Sequence, residues 1–570
     1  MKKYSVHDRT PEDVAKKLEE FSPIVRDFLY RRGLVDLQTA KDFLNPDYST
    51  GVHDPFLFKG MDRAVQRILS AIEKGEVIAI WSDYDADGIP GAVVWHDLFR
   101  RIGYANTIHY IPHRNDEGFG LNNDGVKELS SKGVKLIMTI DCGITDVSEV
   151  ELANSLGVDV IITDHHLPGD NLPKAYAIIN AKQSGDEYPF KELCGAGVAF
   201  KVAQALLKKK DFGLKNGVEK WFLDMVGIAT LSDMVPLIGE NRIFAHYGLA
   251  VLKKTPRLGL QSLFSKLKVS QKNLSEDDIG FTITPRINAA SRMGVPMDAF
   301  YLLSATNIDS ATKYADHLDH INNERKGVVA NMVKEARKNI SNRKDQDGMD
   351  KVVVIGNPDW KPSLLGLVAS SLVEDHGKPV FVWGREGASH IKGSCRGSGN
   401  ISVVEIMNKA KESFLDYGGH TMSGGFSVAL EKIHNLESSL ARACVELEKE
   451  TKEPAPVLVD AILSLEDVNW DFYRDIEKFA PFGVGNPKPI FIFKSVSPVS
   501  VKIFGKEKNH LEINFVNKKG KKISAIAFFA GHDSFDRQVA VDTPIDLVAT
   551  FEKSNFRNYP ELRLRIVDVI

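Results

Sequence analysis

Residues 82–94 read SDYDADGIPGAVV, with acids at alternate positions, Asp83, Asp85 and Asp87, and Gly88 directly after them. A calcium-binding EF-hand loop begins in this way, but it needs a bidentate Glu at its twelfth position and a helix on each side. Counted from Asp83, the twelfth residue is Val94, the eighth is Pro90, and the segment before the loop, VIAIW, reads as a strand. The calcium reading fails on all three points. What remains is a strand-end loop whose carboxylates at i and i+2 point the same way, with Gly88 permitting a sharp turn and Pro90 opening a helix.

Working outward, the same grammar repeats. VIAIW leads to SDYDADG, LIMTI to DCGIT and VDVII to TDHHLP, and between them GAVVWHDLFRRIG and DVSEVELANSLG carry apolar residues at three-to-four spacing. Strand, loop and helix in repetition predict an α/β domain built on a doubly wound parallel sheet. Ligands bind such sheets at the carboxyl ends of the strands, where all three polar clusters fall. The sheet domain is expected to continue through AYAIIN, the helical GAGVAFKVAQALLKKK and WFLDMVGIATLSDMVPL.

Residues 241–342 read as helical and connective, up to the polar stretch SNRKDQDGMD. A second α/β unit follows, with KVVVIG and PVFVWG as strands, SLLGLVASSLVEDHG as a helix, and glycines clustered around single polar residues in SHIKGSCRGSG and YGGHTMSGGFSV. EPAPV, near Pro454, marks another boundary, after which LEINFV, ISAIAFF, DLVATFE and LRLRIVDVI alternate with a period of two and predict a small β-barrel. Between Lys494 and Lys522 stand eight lysines against two glutamates, with Phe493, Phe504 and Phe515 interleaved. That segment is either a solvated barrel surface over core phenylalanines or a groove for single-stranded nucleic acid.

The chemistry lies at the strand ends. One acidic loop alone is commonly a cap or a solvated turn, but Asp141 in TIDCGIT and the run Asp164, His165, His166 close neighbouring strands. So many acids in one crevice repel one another and are driven to protonate unless cations are present. Oxygen ligands with one or two imidazoles and no thiolate favour Mn²⁺ or Mg²⁺ over structural zinc. There are enough groups for two ions, and two-metal sites activate water for in-line attack on phosphorus. Asp233 in ATLSDMVPL either completes the set or caps the next element.

At 570 residues the chain is long enough for about three or four domains. With 43% hydrophobic and 26% charged residues, no long apolar run and no charged-then-apolar leader at its start, it reads as a cytoplasmic globular protein. A formal charge of −3 argues against wholesale coating of nucleic acid but leaves room for local patches. The four cysteines, far apart and without a CxxC pair, suggest neither a disulfide framework nor a zinc ribbon. Nothing in the pattern suggests a coiled coil or a large exposed apolar stripe, and a monomer is the expectation.

In order and spacing, DYDADG, IDCG, TDHH and LSDMVPL resemble the DHH phosphoesterase superfamily, and GGHTMSGG at 418–425 looks like the glycine-rich element of its associated DHHA1 domain. HRNDEGFGL from His113, TPRINAASRM from Thr284 and FAPFGVGNPKPIF from Phe479 are similar to the RecJ family of single-stranded-DNA exonucleases. The resemblance implies a helical segment at 1–47, a DHH catalytic domain at 48–240, a helical connector at 241–345, a DHHA1 domain at 346–453 and an oligonucleotide-binding (OB) barrel at 456–570. It also implies a processive 5′→3′ exonuclease of DNA repair and recombination that releases 5′ mononucleotides. Its narrow bore admits one strand, and a helicase and a single-strand-binding protein are the partners that would deliver the DNA.

On the same resemblance, Asp85, Asp87, Asp141, His165 and Asp233 hold two Mn²⁺ ions, with Mg²⁺ as the alternative and Asp141 as the bridge, while His166 faces the scissile phosphate. Asp83 and Asp164 are implied to orient ligands by hydrogen bonds. The 5′ end is implied to be gripped by Arg114, Arg286, Ser394 and Arg396, with His420 near the phosphate path. Four positions depart from the family's usual residues, Thr284, Ser291, Lys361 and Ser423; none is an implied metal ligand, and they bear on terminus preference and rate. A nanoRNase or nucleotide phosphatase of the same superfamily, or a silent replication scaffold, is the alternative. The β-rich residues after Ala455 argue against the first, and retention of every acid and histidine against the second.

Overall fold

The VIAIW run forms β1 (Val77–Ser82), beside β2 (Thr107–Tyr110), β3 (Val134–Ile140), β4 (Asp159–Thr163) and β5 (Ala177–Ile179). All are parallel, in the order β2-β1-β3-β4-β5. Near-continuous Val, Ile and Leu runs are what a strand buried on both faces requires. The helices supply the cover: α1 (Gly88–Arg101) on one face, α2 (Asn123–Ser131) and α3 (Val147–Ser155) on the other, and then α4 (Gly195–Lys209) and α5 (Leu223–Ser232), which pack with α1. The doubly wound reading of this region is what the structure contains.

This computed structural model describes residues 4–342, 351–386, 390–399, 401–450, 456–505, 508–531, 534–535, 537–554 and 559–570. Most of the polar stretch expected to end the connector, the 453–455 part of EPAPV, and Lys506 of the lysine-rich segment lie outside the described residues. Among the described residues no helix is long and apolar enough to cross a membrane.

Downstream, α6 (Thr284–Met293) packs on the 34-residue α7 (Ile308–Ser341), a rod of about 50 Å at 1.5 Å per residue. A second sheet follows, built from β6 (Val353–Gly356), β7 (Val380–Gly384), β8 (Ile391–Arg396), β9 (Asp416–His420) and β10 (Ser423–Val428) in the order β9-β10-β8-β7-β6. Only β6 and β7 run parallel. The helix α8 (Leu365–His376) lies over β7 and β8, while α9 (Val403–Lys409) and α10 (Ile433–Glu450) cover the opposite face.

Strand alternation makes the two faces of this sheet chemically unlike. Phe381, Cys395, Phe426 and Val428 enter the apolar core with α9 and α10. The antiparallel register puts Lys392, Ser394 and Arg396 of β8 on the other face, level with Ser427, Gly425 and Ser423 of β10 and with Asp416, Gly418 and His420 of β9. Beyond the edge of α8 the sheet therefore shows a face of small, polar and basic residues.

The chain divides into two compact units, Pro55–Asp233 with Ala250–Pro454, and Met1–Asp54 with Met234–Leu249 and Ala455–Ile570. The second unit is organised by a seven-stranded mixed sheet, β11 (Ala461–Leu463), β12 (Phe491–Val496), β13 (Ser500–Phe504), β14 (His510–Val516), β15 (Lys522–Phe528), β16 (Ile545–Ser554) and β17 (Glu561–Val569), in the order β11-β12-β16-β17-β15-β14-β13. The helices Glu12–Lys17, Pro23–Arg31 and Leu37–Leu44 bury Val14, Phe28, Leu29 and Ala40 in the core of that sheet. The FAPFGVGNP stretch is a brace in the same unit. Asn486 Nδ2 donates to the carbonyls of Phe479 (2.8 Å) and Pro481 (2.9 Å), Arg32 Nε donates to Asn486 Oδ1 (2.7 Å), and Arg242 Nη1 donates to the Phe479 carbonyl (2.9 Å).

The two readings left open for the lysine-rich segment separate by strand parity. Phe493 and Phe515 are wholly buried in the core, whereas Phe504 lies half-buried on the outer face. There it meets His510 at 5.2 Å, His510 meets Phe528 at 5.2 Å, and the Arg565 guanidinium sits 4.1 Å from the Phe528 ring. Phe529 beside them is 81% exposed. The outer face thus holds an aromatic and cationic platform, built mostly from residues other than the phenylalanines that stood out among the lysines.

Candidate metal centre and phosphate-binding face

Three backbone hydrogen bonds extend the parallel ladder past the strand ends and fix where the acids stand. Asp83 N–H donates to the Ile140 carbonyl (3.1 Å), Asp141 N–H to Thr163 (2.9 Å) and Asp164 N–H to Ile179 (3.2 Å). Asp141 takes φ +64°, the left-handed region that costs an L-residue energy and clusters at functional sites. At Gly88, an added Cβ would lie 2.5 Å from the Asp83 carbonyl oxygen, so the loop closes this tightly only with glycine there.

The side chains then converge. Donor atoms of Asp83, Asp85 and Asp141 lie within 4.8 Å of one another, as do those of Asp87, His165 and Asp233, and those of Asp141, His165 and His166. Asp141 and His165 each belong to two of these groups. His165 Nε2 is 3.1 Å from Asp141 Oδ1, 3.7 Å from Asp233 Oδ2 and 3.8 Å from Asp87 Oδ2. Asp83, expected to orient ligands, stands among the converging donors themselves.

Electrostatics register the conflict foreseen in the sequence. Burial, with Asp85 next in importance, pushes the Asp87 carboxyl up to about 7; burial, then Asp87, pushes Asp233 up to about 9. Asp83 and Asp141 are raised well above the usual carboxylate range, by burial first and by neighbouring acids after it. Burial and the adjacent His166 lower His165 to about 3, leaving a neutral imidazole suited to ligation. Asp83 Oδ1 and Asp141 Oδ1 are buried without a hydrogen-bond partner. Buried, unpartnered carboxylate oxygens beside a neutral imidazole fit a divalent cation of the Mn²⁺ or Mg²⁺ kind.

Asp164 has a different role from the ligand candidates. It accepts from the backbone N–H of Ile144 (3.0 Å), His165 (2.7 Å) and His166 (3.1 Å) and pairs with His166 Nδ1 at 2.8 Å. Burial opposes its charge, yet the His166 hydrogen bond and charge hold its pKa below the ordinary value. Burial likewise opposes the charge on His166, but Asp164 wins and raises it.

Several residues of the site carried no signal that sequence reasoning could assign. The first turn of α4 donates N–H from Gly195 (2.6 Å) and Ala196 (2.7 Å) to the two oxygens of Asp87, a helix N-terminus holding an acid. An added Cβ at Gly195 would lie 2.5 Å from Asp141 Cγ. Asn288 of TPRINAASRM accepts from Ala86 N–H (2.8 Å) and ties α6 to the DYDADG loop, and the wholly buried Asn180 donates to the His166 carbonyl (2.9 Å). Asp233 is the C-cap of α5, where a carboxylate faces the negative end of the helix dipole; this placement opposes helix stability and suits a functional acid.

The predicted phosphate-binding residues separate. The Arg114 guanidinium lies 4.9 Å from the Tyr84 ring, inside the DYDADG loop. Arg396 Nη1 donates to Ser394 Oγ (3.2 Å) and to the Cys395 carbonyl (2.8 Å). A Cβ at Gly366, in the first turn of α8, would meet Arg396 Nη2 at 2.8 Å. His420 is exposed on the polar face.

Arg286, by contrast, is buried and engaged: Nε and Nη2 contact Asp319 (3.0 and 2.9 Å), and Nη1 donates to the Thr282 carbonyl (2.7 Å), bracing α6 against α7. Arg292, on the same helix, donates to the Ser363 carbonyl (2.6 Å). Burial, then Arg114 and Arg325, lowers its pKa to about 9, so unbalanced positive charge gathers beside the acids. Of the departures, Lys361 pairs with Glu386 (3.6 Å), Thr284 hydrogen-bonds Ser232, Ser291 donates to the Asn288 carbonyl (3.2 Å), and Ser423 pairs across the ladder with Arg396.

Comparison with known proteins agrees with this geometry. The N-terminal domain of the DHH family matches residues 77–230, the DHHA1 domain 349–446 and the RecJ OB domain 459–568. The single-stranded-DNA-specific exonuclease RecJ of Bacillus subtilis is 33% identical over 565 residues, covering 98% of this chain and 70% of the relative. The chain belongs to the RecJ family. A second RecJ, from Escherichia coli, is 28% identical, with 85% of each chain covered. The crystal structure of RecJ with Mn²⁺ from Thermus thermophilus superposes with a TM-score of 0.81 at 26% identity, over 100% of this chain and 79% of that one. A manganese-bound exonuclease RecJ structure is 30% identical with a TM-score of 0.58, over 68% of this chain and 95% of that one. RecJ structures with Mn²⁺ and with Mg²⁺ agree with the divalent-metal character of the acid and histidine cluster.

Proposed function

We propose that this RecJ-family chain is a metal-dependent exonuclease that removes nucleotides from the 5′ end of single-stranded DNA, releasing 5′ mononucleotides. The observation that carries the reading is the crevice at the ends of β1, β3 and β4, where Asp83, Asp87, Asp141 and Asp233 are each held above the usual carboxylate range beside a neutral His165. Such a cluster is built to be relieved by cations. Asp85, Asp87, Asp141, His165 and Asp233 would hold two ions, Mn²⁺ or Mg²⁺, which supply water activation and charge stabilisation at the phosphate.

The remaining residues bind, orient and carry protons. Gly195 and Ala196 N–H groups fix both Asp87 oxygens, leaving its outer lone pairs free for ligation. Asp164 orients His166 through Nδ1 and favours its protonated form, in which Nε2 also carries a proton and would donate to the scissile phosphate. Arg114, Ser394 and Arg396 grip the terminal phosphate, since guanidinium forks meet phosphate oxygens bidentately. Arg286 holds the shape of α6, and His420 lines the strand's path over the glycine-rich face. On the OB domain, the Phe528 and Arg565 platform stacks bases without regard to sequence. The protein acts as a monomer in the cytoplasm on strands supplied by a helicase and shielded by a single-strand-binding protein.

The test uses single strands labelled at either end, and the matching duplex, with Mn²⁺ or with chelator. Mononucleotides should leave the 5′-labelled end first, only with metal, and not from the duplex. Asp141→Ala should abolish release; release from the 3′ end first, equal cutting of duplex, or full activity of Asp141→Ala would each refute the reading.

A further inference from the structure

Next to the acid cluster lies a cleft of about 770 Å³, within the range of small-molecule sites. Its walls come from the loop carrying Arg114, from Arg385 just past β7, and from the polar face of the second sheet, including Lys392 and Asp416. Of the proposed terminal-phosphate grip, Arg114 lines this cleft, and Ser394 follows its lining residues Lys392 and Gly393 along β8.

The charges in this cleft are unevenly satisfied. Of its acids, Glu386 is paired with Lys361 (3.6 Å), and Asp116 stands 2.8 Å from His113 Nδ1. Among the described residues, Arg114, Arg385 and Lys392 have no ion-pair partner, and the buried Nε of Arg385 has no hydrogen-bond acceptor. Lys392 stands two residues along β8 from Ser394 on the same face, a step of about 7 Å. A row of cations thus continues outward from the terminal-phosphate grip. At the far side the exposed Asp416 offers an acceptor for a sugar or base.

We infer that this cleft receives 5′ ends carrying further phosphates in anhydride linkage, so that the terminal residue is released with its oligophosphate intact. The inference rests on the reading of Arg114, Ser394 and Arg396 as the grip on the terminal phosphate. In the reaction, water oxygen bonds to the phosphorus of the first internucleotide linkage, the bond from that phosphorus to O3′ of the terminal residue breaks, and O3′ takes a proton. The anhydride bonds are untouched. A 5′-triphosphate strand therefore yields a nucleoside triphosphate first, and a strand with adenylate in 5′–5′ pyrophosphate linkage yields a dinucleoside polyphosphate.

The experiment gives the full chain, with Mn²⁺, single strands of one sequence ending in 5′-monophosphate, 5′-triphosphate, 5′-adenylyl pyrophosphate or a neutral glycol linker of similar size. First products are identified by mass. Anisotropy in chelator reads binding of the same strands. The triphosphate strand should be cut to nucleoside triphosphate and should bind more tightly than the monophosphate strand. The variant Arg385→Ala/Lys392→Ala should weaken handling of the triphosphate strand about tenfold, as expected for lost charged hydrogen bonds, without changing the monophosphate strand.

The adenylylated strand should be cut to the dinucleoside polyphosphate; its refusal would overturn the inference for capped ends. Resistance of the triphosphate strand while the monophosphate strand is degraded, equal treatment of the glycol strand, or a double variant indistinguishable from wild type on the triphosphate strand would overturn the inference. Failure to cut the monophosphate strand would instead sink the exonuclease reading, and the binding comparison would still decide the cleft.

Discussion

A single methyl group at residue 195 tests how the clustered acids are held. The Cβ of Gly195→Ala would lie 2.5 Å from Asp141 Cγ, where ordinary contact begins at 3.4 Å, so about 1 Å must come from Asp141 or from the start of α4. Neither yields without consequence. Asp141 is fixed by its backbone bond to Thr163 (2.9 Å), and α4 holds Asp87 through N–H bonds of 2.6 and 2.7 Å. A displacement of about 1 Å at reacting groups costs on the order of 100-fold in rate, about 2.7 kcal/mol of transition-state stabilisation. The crowding itself adds about 1–3 kcal/mol of destabilisation.

The assay is the Mn²⁺-dependent release of nucleotides from a single strand under saturating substrate, beside the Kd for the same strand in chelator. Turnover should fall about 100-fold while the chelator Kd stays at the wild-type value, because Gly195 contributes to neither the stacking platform nor the proposed phosphate grip. A folded Gly195→Ala protein with wild-type turnover would refute the claim that α4 sets the spacing of Asp87 and Asp141.

Two further predictions concern charge and stacking. The pKa of Asp87 is raised to about 7 and that of Asp233 to about 9. A carboxyl raised above its unfolded value contributes stability that is full below about 4 and lost as pH rises through the folded value. The melting temperature of the chelated protein should therefore fall between pH 5 and 9, a shallower fall is expected for Asp233→Asn, and Mn²⁺ should stabilise more at the high end; a flat or rising profile in chelator contradicts the charge conflict. On the OB sheet, Phe528→Ala should weaken single-strand binding in chelator about tenfold, as expected when a base loses its stacking partner; an unchanged Kd would remove the platform from the binding path.

Much of the candidate metal centre was legible in the chain itself. Parallel β/α grammar and the rule that ligands sit at strand carboxyl ends were enough to bring Asp83, Asp85, Asp87, Asp141, Asp164, His165 and His166 together, because each cluster follows its strand directly in the chain. Asp233 was ambiguous as one acid after a helix; in the fold it is the C-cap of α5, and its carboxylate also groups with Asp87 and His165. The OB segment was legible as alternating strands, but lysine density drew attention to Phe493 and Phe515, which strand parity turns inward. Phe528 and Arg565 lie on different strands and meet only through sheet register and packing.

What the sequence determined by itself is local: which runs are strands, which loops end them, and which acids those loops carry. Periodicity and turn chemistry act over a few residues, and they survive in a one-dimensional reading. Only the tertiary structure decided that the backbone of a helix more than 100 residues downstream holds Asp87, and that Arg286 is spent on Asp319 while Arg292 stands near Arg114. It also decided that β8 to β10 present a bare polar face beside the acids. The physical reason is that hydrogen bonds, desolvation and charge act through space, and the partners that set them are brought together only by folding.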